Sequence, residues 1–521
     1  MRFWKNPEFV RHLRAELRTT RALTIAAVVT AICLLVWLGC WGSRQAEVEA
    51  LRNRSTHVGE VRPELLERLE RESPAVVWRS FYSTLLYAQL AVLTFWSLLS
   101  CAQSISRERE RKTWDFQRAT RLSSGELLVG KLLGEPVVAY FIVACCLPIT
   151  VVAGLLGHMG LRNVLCGYAL IVSGALFIGL TGLWLSSLFE SRSRGVGLIG
   201  TFGIYAGFGL VTQMAGSGFP GVAAFSPLTG LIVLLGDELR WVPPTIFGER
   251  VPWLAMSLLL YATFGPWLVT MILRTLKKDF DQAKPLSRWE AVGCVGYLNF
   301  TAYALFYPPG WVNLHAQNFA SFMVFVNGFF LFAMGLAMIT PYERLKIWWR
   351  TRSGVASWLA EDGLPWPWLA LSSAVGYGFL VWGMFAWKNH VGFEREVLVK
   401  SLVQSLVVAI YITRDIMFIQ WCRLTHMRAP VLKGLLYAGL YYVAAGVLSA
   451  VVGVSSVRQG RAVYSLLTPA GALELGTSGW PTSGAVFAGI GMQVGIIVLL
   501  VAAIAARLRR TPGKLAIAGA D

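Results

Sequence analysis

The sequence predicts an all-α polytopic membrane protein, with about twelve transmembrane helices in a 6+6 tandem arrangement and both termini cytoplasmic. Three observations predict it. The 521 residues are 55% hydrophobic and 15% charged, with a mean hydropathy of +0.56, whereas soluble domains run near 45–50% apolar and about 25% charged. The apolar residues come in blocks of the roughly 20 residues that a helix needs to cross a hydrocarbon core of about 30 Å. Basic residues gather in alternate connections, as they do in cytoplasmic loops.

Taken in order, the expected spans lie near 22–41, 81–104, 132–156, 164–188, 196–215, 252–273, 289–307, 319–340, 366–387, 397–413, 434–454 and 484–506. The weakest of these are the Gly-rich 196–215 and the short 397–413, which contains Lys400 and Gln404. With the N-terminus inside, the inside segments include Arg2 to Arg21, the 105–131 stretch, Arg274 to Arg288, Arg344 to Arg352, Arg414 to Lys433 and Arg507 to Lys514. The outside segment "PPGWVNLHAQ" has no basic residue. The outside loop 43–79 carries seven Arg and seven Glu and reads as two short helices, 44–54 and 63–72. The net charge of +18 therefore reflects orientation in a lipid bilayer, and no nucleic acid partner is expected.

Enzyme and metal chemistry find little support. The eight cysteines form no CxxC pair and the six histidines no HExxH, so no metal site and no catalytic residue is expected. "GELLVGKL" (125–132) comes close to a phosphate-binding loop, but Leu132 stands where Mg²⁺ needs a Ser or Thr hydroxyl. The first apolar run ends in "LVWLGC"; it is too long for a signal peptide and is taken as an uncleaved span.

Two echoes divide the chain into halves, 1–280 and 281–521. "ISRERERKTWDFQR" (105–118) aligns with "ITPYERLKIWWRTR" (339–352), and "FSPLTGLIVLLG" (225–236) with "LTPAGALELG" (467–476). The first half carries an inside segment at 105–131, the second an inside segment at 341–363. A further resemblance, "ITRDIMFIQW" (412–421), has an offset that breaks the 6+6 arrangement and is set aside.

The segment 105–131 is the densest charge cluster. Arg107, Glu108, Arg109, Glu110, Arg111 and Lys112 place opposite charges at helical spacing. Trp114 and Phe116 follow, then Leu122. Ser123 with Glu126 forms a capping box that starts a new helix. Glu135 lies four residues after Lys131, which suggests that the two pair. Polar residues inside spans are costly and mark paths or bridges; Glu135, Asn299, Asn327, Gln404 and Gln493 are the candidates for an intramembrane polar path.

"SRERERKTWDFQRATRLSSGELLVGKLLG" resembles the cytoplasmic segment of permeases of the ABC-2 type exporter family. The shared elements are the acid-and-Arg run Glu108 to Arg111, then Thr113, Trp114, Ala119, Thr120, Leu122, Ser123 and "GKLL" at 130–133. "PYERLKIWWR", with Lys346 and Trp348, lacks the "GKLL" ending. The resemblance implies two permease halves fused in one chain of the plasma (inner) membrane, acting with a separate ATP-binding cassette subunit in two copies. It implies that Arg107, Glu108, Arg109, Glu110, Arg111, Lys112, Trp114, Phe116, Leu122, Ser123, Glu126, Lys346 and Trp348 couple to that subunit. This chain would bind no cofactor, ATP and Mg²⁺ sitting on the partner. The alternative is an ion-coupled secondary transporter with twelve helices.

Overall fold

The computed structural model describes residues 6–58, 63–119, 122–188, 220–236, 243–276, 286–306, 316–386, 395–425, 430–455 and 483–510, with a few positions between. These residues are almost wholly helical, and the chain is an all-α polytopic membrane protein. Ten of the described helices are long and apolar enough to cross a membrane. Of the twelve expected spans, 196–215 lies mostly outside the described residues. Residues 289–307 do form a helix, Arg288–Phe306. It is not among those ten, because Arg288, Glu290 and Asn299 dilute its apolar run.

The chain divides into two compact units. The first comprises residues 1–245 and 250–278, the second residues 246–249 and 279–521.

The first unit opens with α1 (Pro7–Glu16), a short amphipathic helix. Two very long helices follow, α2 (Thr19–Val58) and α3 (Pro63–Glu110). At 40 and 48 residues they are roughly 60 and 70 Å long, about twice a hydrocarbon core. The two short helices expected at 44–54 and 63–72 are thus extensions of the spans. No Gly or Pro separates Ser43 from Val58, so nothing stops α2, and Pro63 takes the first turn of α3, where a missing N–H is harmless. Where α2 meets α3, Trp37 stacks on Trp41 and meets Trp78 at a tilt, each with ring centres 5.9 Å apart.

The unit continues with α4 (Trp114–Ala119), α5 (Ser124–Gly134), α6 (Val137–Leu156), α7 (Gly160–Leu188), the short α8 (Pro220–Ala223), α9 (Pro227–Leu235) and α10 (Trp253–Leu276). The core lies along α3, which packs on α6 and α7; α2 lies on α3 and α6, and α7 on α10. Tyr82, Leu86, Leu93, Ala153 and Ile171 fill this core.

The second unit contains α11 (Arg288–Phe306), α12 (Ala316–Ala337), α13 (Tyr342–Thr351), a 3₁₀ turn (Val355–Leu359), α14 (Trp366–Ala386), α15 (Arg395–Arg423), α16 (Pro430–Ser455) and α17 (Ser483–Arg510). Here α12 packs on α14 and α15, α11 on α12 and α14, and α15 on α17. Counting the described long helices within each unit, the neighbours are the same: second on third and fourth, first on second and third, and the fourth on the last, α7 on α10 and α15 on α17. The expected span 397–413 is part of α15, which runs ten residues further.

Close helix contact in the second unit depends on glycines. A Cβ on Gly376 of α14 would overlap the Asn327 amide of α12, while Gly378 faces open space. Gly376→Val should therefore lower stability by about 1–3 kcal/mol through overpacking, whereas Gly378→Val should cost less than about 0.5 kcal/mol. Thermal unfolding of the two variants in detergent checks this.

Candidate functional site

The 105–131 segment is built by two opposed helix-ending devices. At the end of α3, Thr113 N–H donates to the Glu108 carbonyl at 3.0 Å and Lys112 N–H to the Arg109 carbonyl at 3.1 Å. This closes a Schellman turn with Lys112 at φ +58°, the left-handed slot usually given to Gly. After α4, the expected capping box is present. Glu126 N–H donates to Ser123 Oγ at 3.2 Å, and Ser123 N–H donates to Glu126 Oε2 at 2.7 Å.

Lys131 then becomes the centre. Its side chain is wholly buried, with Nζ 2.5 Å from Glu108 Oε2, 3.3 Å from Ser104 Oγ and 3.9 Å from Glu8 Oε1. Glu8 comes from α1, which lies across α5. Asn6 caps α1 by accepting from Glu8 and Phe9 N–H, and its own Nδ2 donates to the Glu126 carbonyl at 2.6 Å. The close approach requires Gly130 and Gly134: a Cβ there would sit 2.7 Å from Glu8 Cβ and 3.0 Å from His12 Cδ2. Arg11 bonds Glu8 at 2.6 Å and lies 3.4 Å from Glu108.

The pairing of Glu135 with Lys131 suggested by their spacing is replaced. Glu135 bonds Arg107 at 2.5 Å and lies 3.9 Å from His12. The reason is tertiary: Glu135 keeps helical backbone angles with its N–H on the Lys131 carbonyl, but the Lys131 ammonium is drawn to Glu108, Ser104 and Glu8 instead. Burial raises the pKa of Glu8, but the His12 hydrogen bond and the positive charges of Lys131 and Arg11 outweigh it and hold the carboxyl below its usual range.

Trp114 is buried among Cys101, Ile105, Leu127, Leu128, Leu183, Ile272 and Leu276. Arg109 and Lys131 each lie 5.7 Å from its ring centre. Phe116, two residues on, is 76% exposed. Glu110, Arg111 and Lys112 are also exposed, and Leu122 is half-buried. Of the thirteen residues expected to act together, Glu108 and Trp114 in the first unit are buried, while Phe116 stands exposed.

The second unit holds Lys346 and Trp348 on α13. Lys346 Nζ lies 5.6 Å from the Tyr342 ring. Trp348 is buried and donates to the Ser357 carbonyl at 2.7 Å. Arg352 stacks on Trp349 at 3.3 Å. One clamp recurs. In the first unit Ser186 of α7 accepts from the backbone N–H of Ile105 and Ser106. In the second, Gln420 of α15 accepts from Thr340 N–H at 2.8 Å and donates to the Thr340 carbonyl at 2.9 Å. Thr340 follows Ser106, Gln420 follows Ser186, and Trp348 follows Trp114 by the same 234 residues.

The five intramembrane candidates do not converge. Glu135 belongs to the ion network above. Asn299 donates to Asn327 Oδ1 at 2.9 Å. Gln404 donates to Ser321 Oγ at 3.0 Å. Gln493 accepts from Arg414 Nη1 at 2.7 Å. Arg414, counted above among the inside loop charges, lies within α15 instead. Its guanidinium meets Asp415 Oδ1 at 2.6 and 2.9 Å and the hydroxyls of Tyr441 and Tyr442 at 3.1 Å. The sequence signal was "RD" between apolar neighbours in 408–419.

Removing Lys131 leaves two carboxylates at a dry site, and breaking a buried pair from one side costs about 3–5 kcal/mol. Lys131→Met should lower the thermal midpoint sharply, and Lys131→Met with Glu108→Leu should recover part of the loss. A pH effect follows from Glu8. Its charge supports docking of α1 above the unfolded value of 4.5, and that support is lost as pH falls through the lower folded value. Protection of the Phe9–Leu13 amides against hydrogen exchange, relative to the intrinsic rate at each pH, should therefore fall as pH drops below 4.5, and Glu8→Gln should show reduced protection at neutral pH as well.

No curated protein and no solved structure matches the chain. Residues 89–332, from within α3 to within α12, match the family model described as ABC-2 family transporter protein. That family supplies the membrane permeases of ABC-type transport, transport components partnered by an ATP-binding cassette subunit. Over those residues the chain is similar to the ABC-2 family of transporter proteins, and its ten long apolar helices fit a multi-pass membrane permease.

Proposed function

We propose that the chain is the permease of an ATP-driven exporter of the plasma membrane, two permease halves fused in one polypeptide. Its 105–131 and 341–363 segments face the cytoplasm and take up the closure of a separate ATP-binding cassette subunit, present in two copies. ATP and Mg²⁺ bind on that subunit. The observation that carries this is the recurring clamp. In each unit a side chain of the fourth long helix holds the backbone beside the segment, at Ser106 and at Thr340. A buried Trp anchors each segment eight residues further on, Trp114 and Trp348. The shared order of helix neighbours supports the fusion.

Rigidity suits the role. A segment that passes on a push must not yield, and the buried ion network around Lys131 fixes α5 to both α1 and α3. Phe116 offers the apolar tip, with Arg111 and Lys112 beside it.

The ion-coupled reading finds one favourable observation, the Arg414–Asp415 pair in a span. Yet all five guanidinium N–H groups of Arg414 are used, on Asp415, Tyr441, Tyr442 and Gln493. No donor remains for a substrate, and the pair serves as a lock between α15, α16 and α17.

Photocrosslinkers placed singly at Phe116 and Trp114 in native membranes test the reading. The ATP-binding subunit should be captured at Phe116 and not at the buried Trp114. Capture of lipid alone at Phe116, or transport that persists without ATP hydrolysis, would overturn it in favour of the secondary transporter.

A further inference from the structure

The first unit contains a cavity of about 1210 Å³ at the end opposite the 105–131 segment. Its place follows from α7. Ser186, near the end of that helix, touches Ser106, whereas the cavity is lined by Arg162, Asn163, Cys166 and Leu170 near its start. The helix separates the two ends by about 35 Å. The second wall runs from Arg250, in a two-residue strand before α10, to Leu258 in the second turn of α10, and α9 supplies Gly230, Val233 and Leu234.

The lining is graded. Arg162 and Arg250 are exposed at the rim. Neither has a hydrogen-bonding or acidic partner among the described residues. Leu170 stands eight residues further along α7, about 12 Å deeper, and Leu258 lies in the second turn of α10. Leu170 is buried, and a Cβ on Gly230 would sit 2.8 Å from it, so α9 closes the space from that side. Two cations thus stand a headgroup's depth above an apolar chamber, which is larger than the roughly 300–1,000 Å³ of drug-sized sites. The chemistry complementary to this is an anion joined to an aliphatic chain.

The second unit lacks the arrangement. At the 234-residue offset, Arg162 corresponds to Glu396 and Cys166 to Lys400. Those two form a salt bridge with each other at 2.6 Å. Leu170 corresponds to Gln404, whose amide is engaged by Ser321.

We infer that this cavity is a binding site for an anionic phospholipid, its phosphate between Arg162 and Arg250 and an acyl chain running toward Leu170 and Leu258. In the orientation proposed above, on which this clause rests, the lipid comes from the outer leaflet. The binding itself requires neither ATP nor the partner subunit.

The full chain in nanodiscs tests it, without any ATP-binding subunit, so that failure here is separate from failure of the exporter reading. The probes are phosphatidylglycerol and phosphatidylcholine carrying the same acyl-chain diazirine. Phosphatidylglycerol should label peptides containing Cys166 to Leu170 and Trp253 to Leu258 in preference to phosphatidylcholine. Arg162→Gln with Arg250→Gln should cut that labelling about tenfold, as two phosphate-facing charges are lost, while Arg509→Gln leaves it unchanged. Leu170→Trp, which fills the floor, should cut it with both Arg residues intact. Equal labelling by the two lipids, or none lost in the double variant, overturns the proposal. So does displacement by free glycerol phosphate at concentrations that leave the bilayer intact, since the rim alone would then be the site.

Discussion

The ammonium of Lys131 lies where no water reaches it, and a lone charge there would cost several kcal/mol. Glu108 at 2.5 Å provides the direct counter-charge and Glu8 at 3.9 Å the next. Since Glu8 is on α1, neutralising Lys131 brings α1 onto α5. That docking in turn needs Gly130 and Gly134, four residues apart and so on one face of α5. It needs the Asn6 amide on the Glu126 carbonyl, which sets the angle of approach. The outer ring completes the balance: Arg11 and Arg107 with Lys131 match Glu8, Glu108 and Glu135 in charge. One buried ammonium thus explains the N-terminal helix, the two glycines and much of the charge in the 105–131 segment.

The second unit reaches a comparable rigidity by other chemistry. Arg288 plays the organising part there, donating to Thr340 Oγ1 at 2.8 Å and to the Gly363 carbonyl at 3.0 Å, while its own backbone N–H meets Glu361 Oε1. Trp348, Trp349 and Trp358 stack around Arg352 in place of an acid-rich ring. The clamp on Thr340 is kept and the surrounding charges differ, as expected where backbone position matters more than the groups that hold it. The interiors diverge the other way. Arg414 and Asp415 fill the second unit where the first has Leu180 and Thr181.

What could be read in the sequence was local. Ser123 and Glu126 cap α5 as expected because three residues suffice to specify a capping box. The spans were legible because lipid demands long apolar runs. That 44–54 and 63–72 are helical was legible too, but not that they continue α2 and α3, because hydropathy marks where the membrane ends and says nothing of where the helix ends. Arg414 was read as a loop charge for the same reason: a tally of basic residues cannot see that α15 continues to Arg423. The Lys131–Glu108 pair is a contact between α5 and α3, 23 residues apart, while Lys131 and Glu135 looked like partners because their helical spacing holds and a sequence does not show which distant acid wins the ammonium. Gly130 and Lys131 could be read as a family pattern, but the crossing of α1 that explains them depends on tertiary structure.

The position of Trp114 shows why so small an element as α4 can matter to four membrane helices. Its ring sits between Arg109 of α3 and Lys131 of α5. The same cluster includes Leu183 of α7 and Ile272 and Leu276 of α10. Close-packed interiors transmit displacement because no free volume absorbs it. A force applied at exposed Phe116 therefore meets a six-residue helix whose described anchor is Trp114, and through it the ends of α3, α7 and α10 together. It reaches α6 through α5, since only Glu135 and Pro136 separate the two, and Glu135 is itself held by Arg107 of α3. Ordinary loops decouple the helices they join; here buried ion pairs tie α5 and the residue after it to α3. That close tie, more than the basic charge first noticed in the stretch, is what the proposed coupling role calls for and a segment resting on lipid headgroups does not.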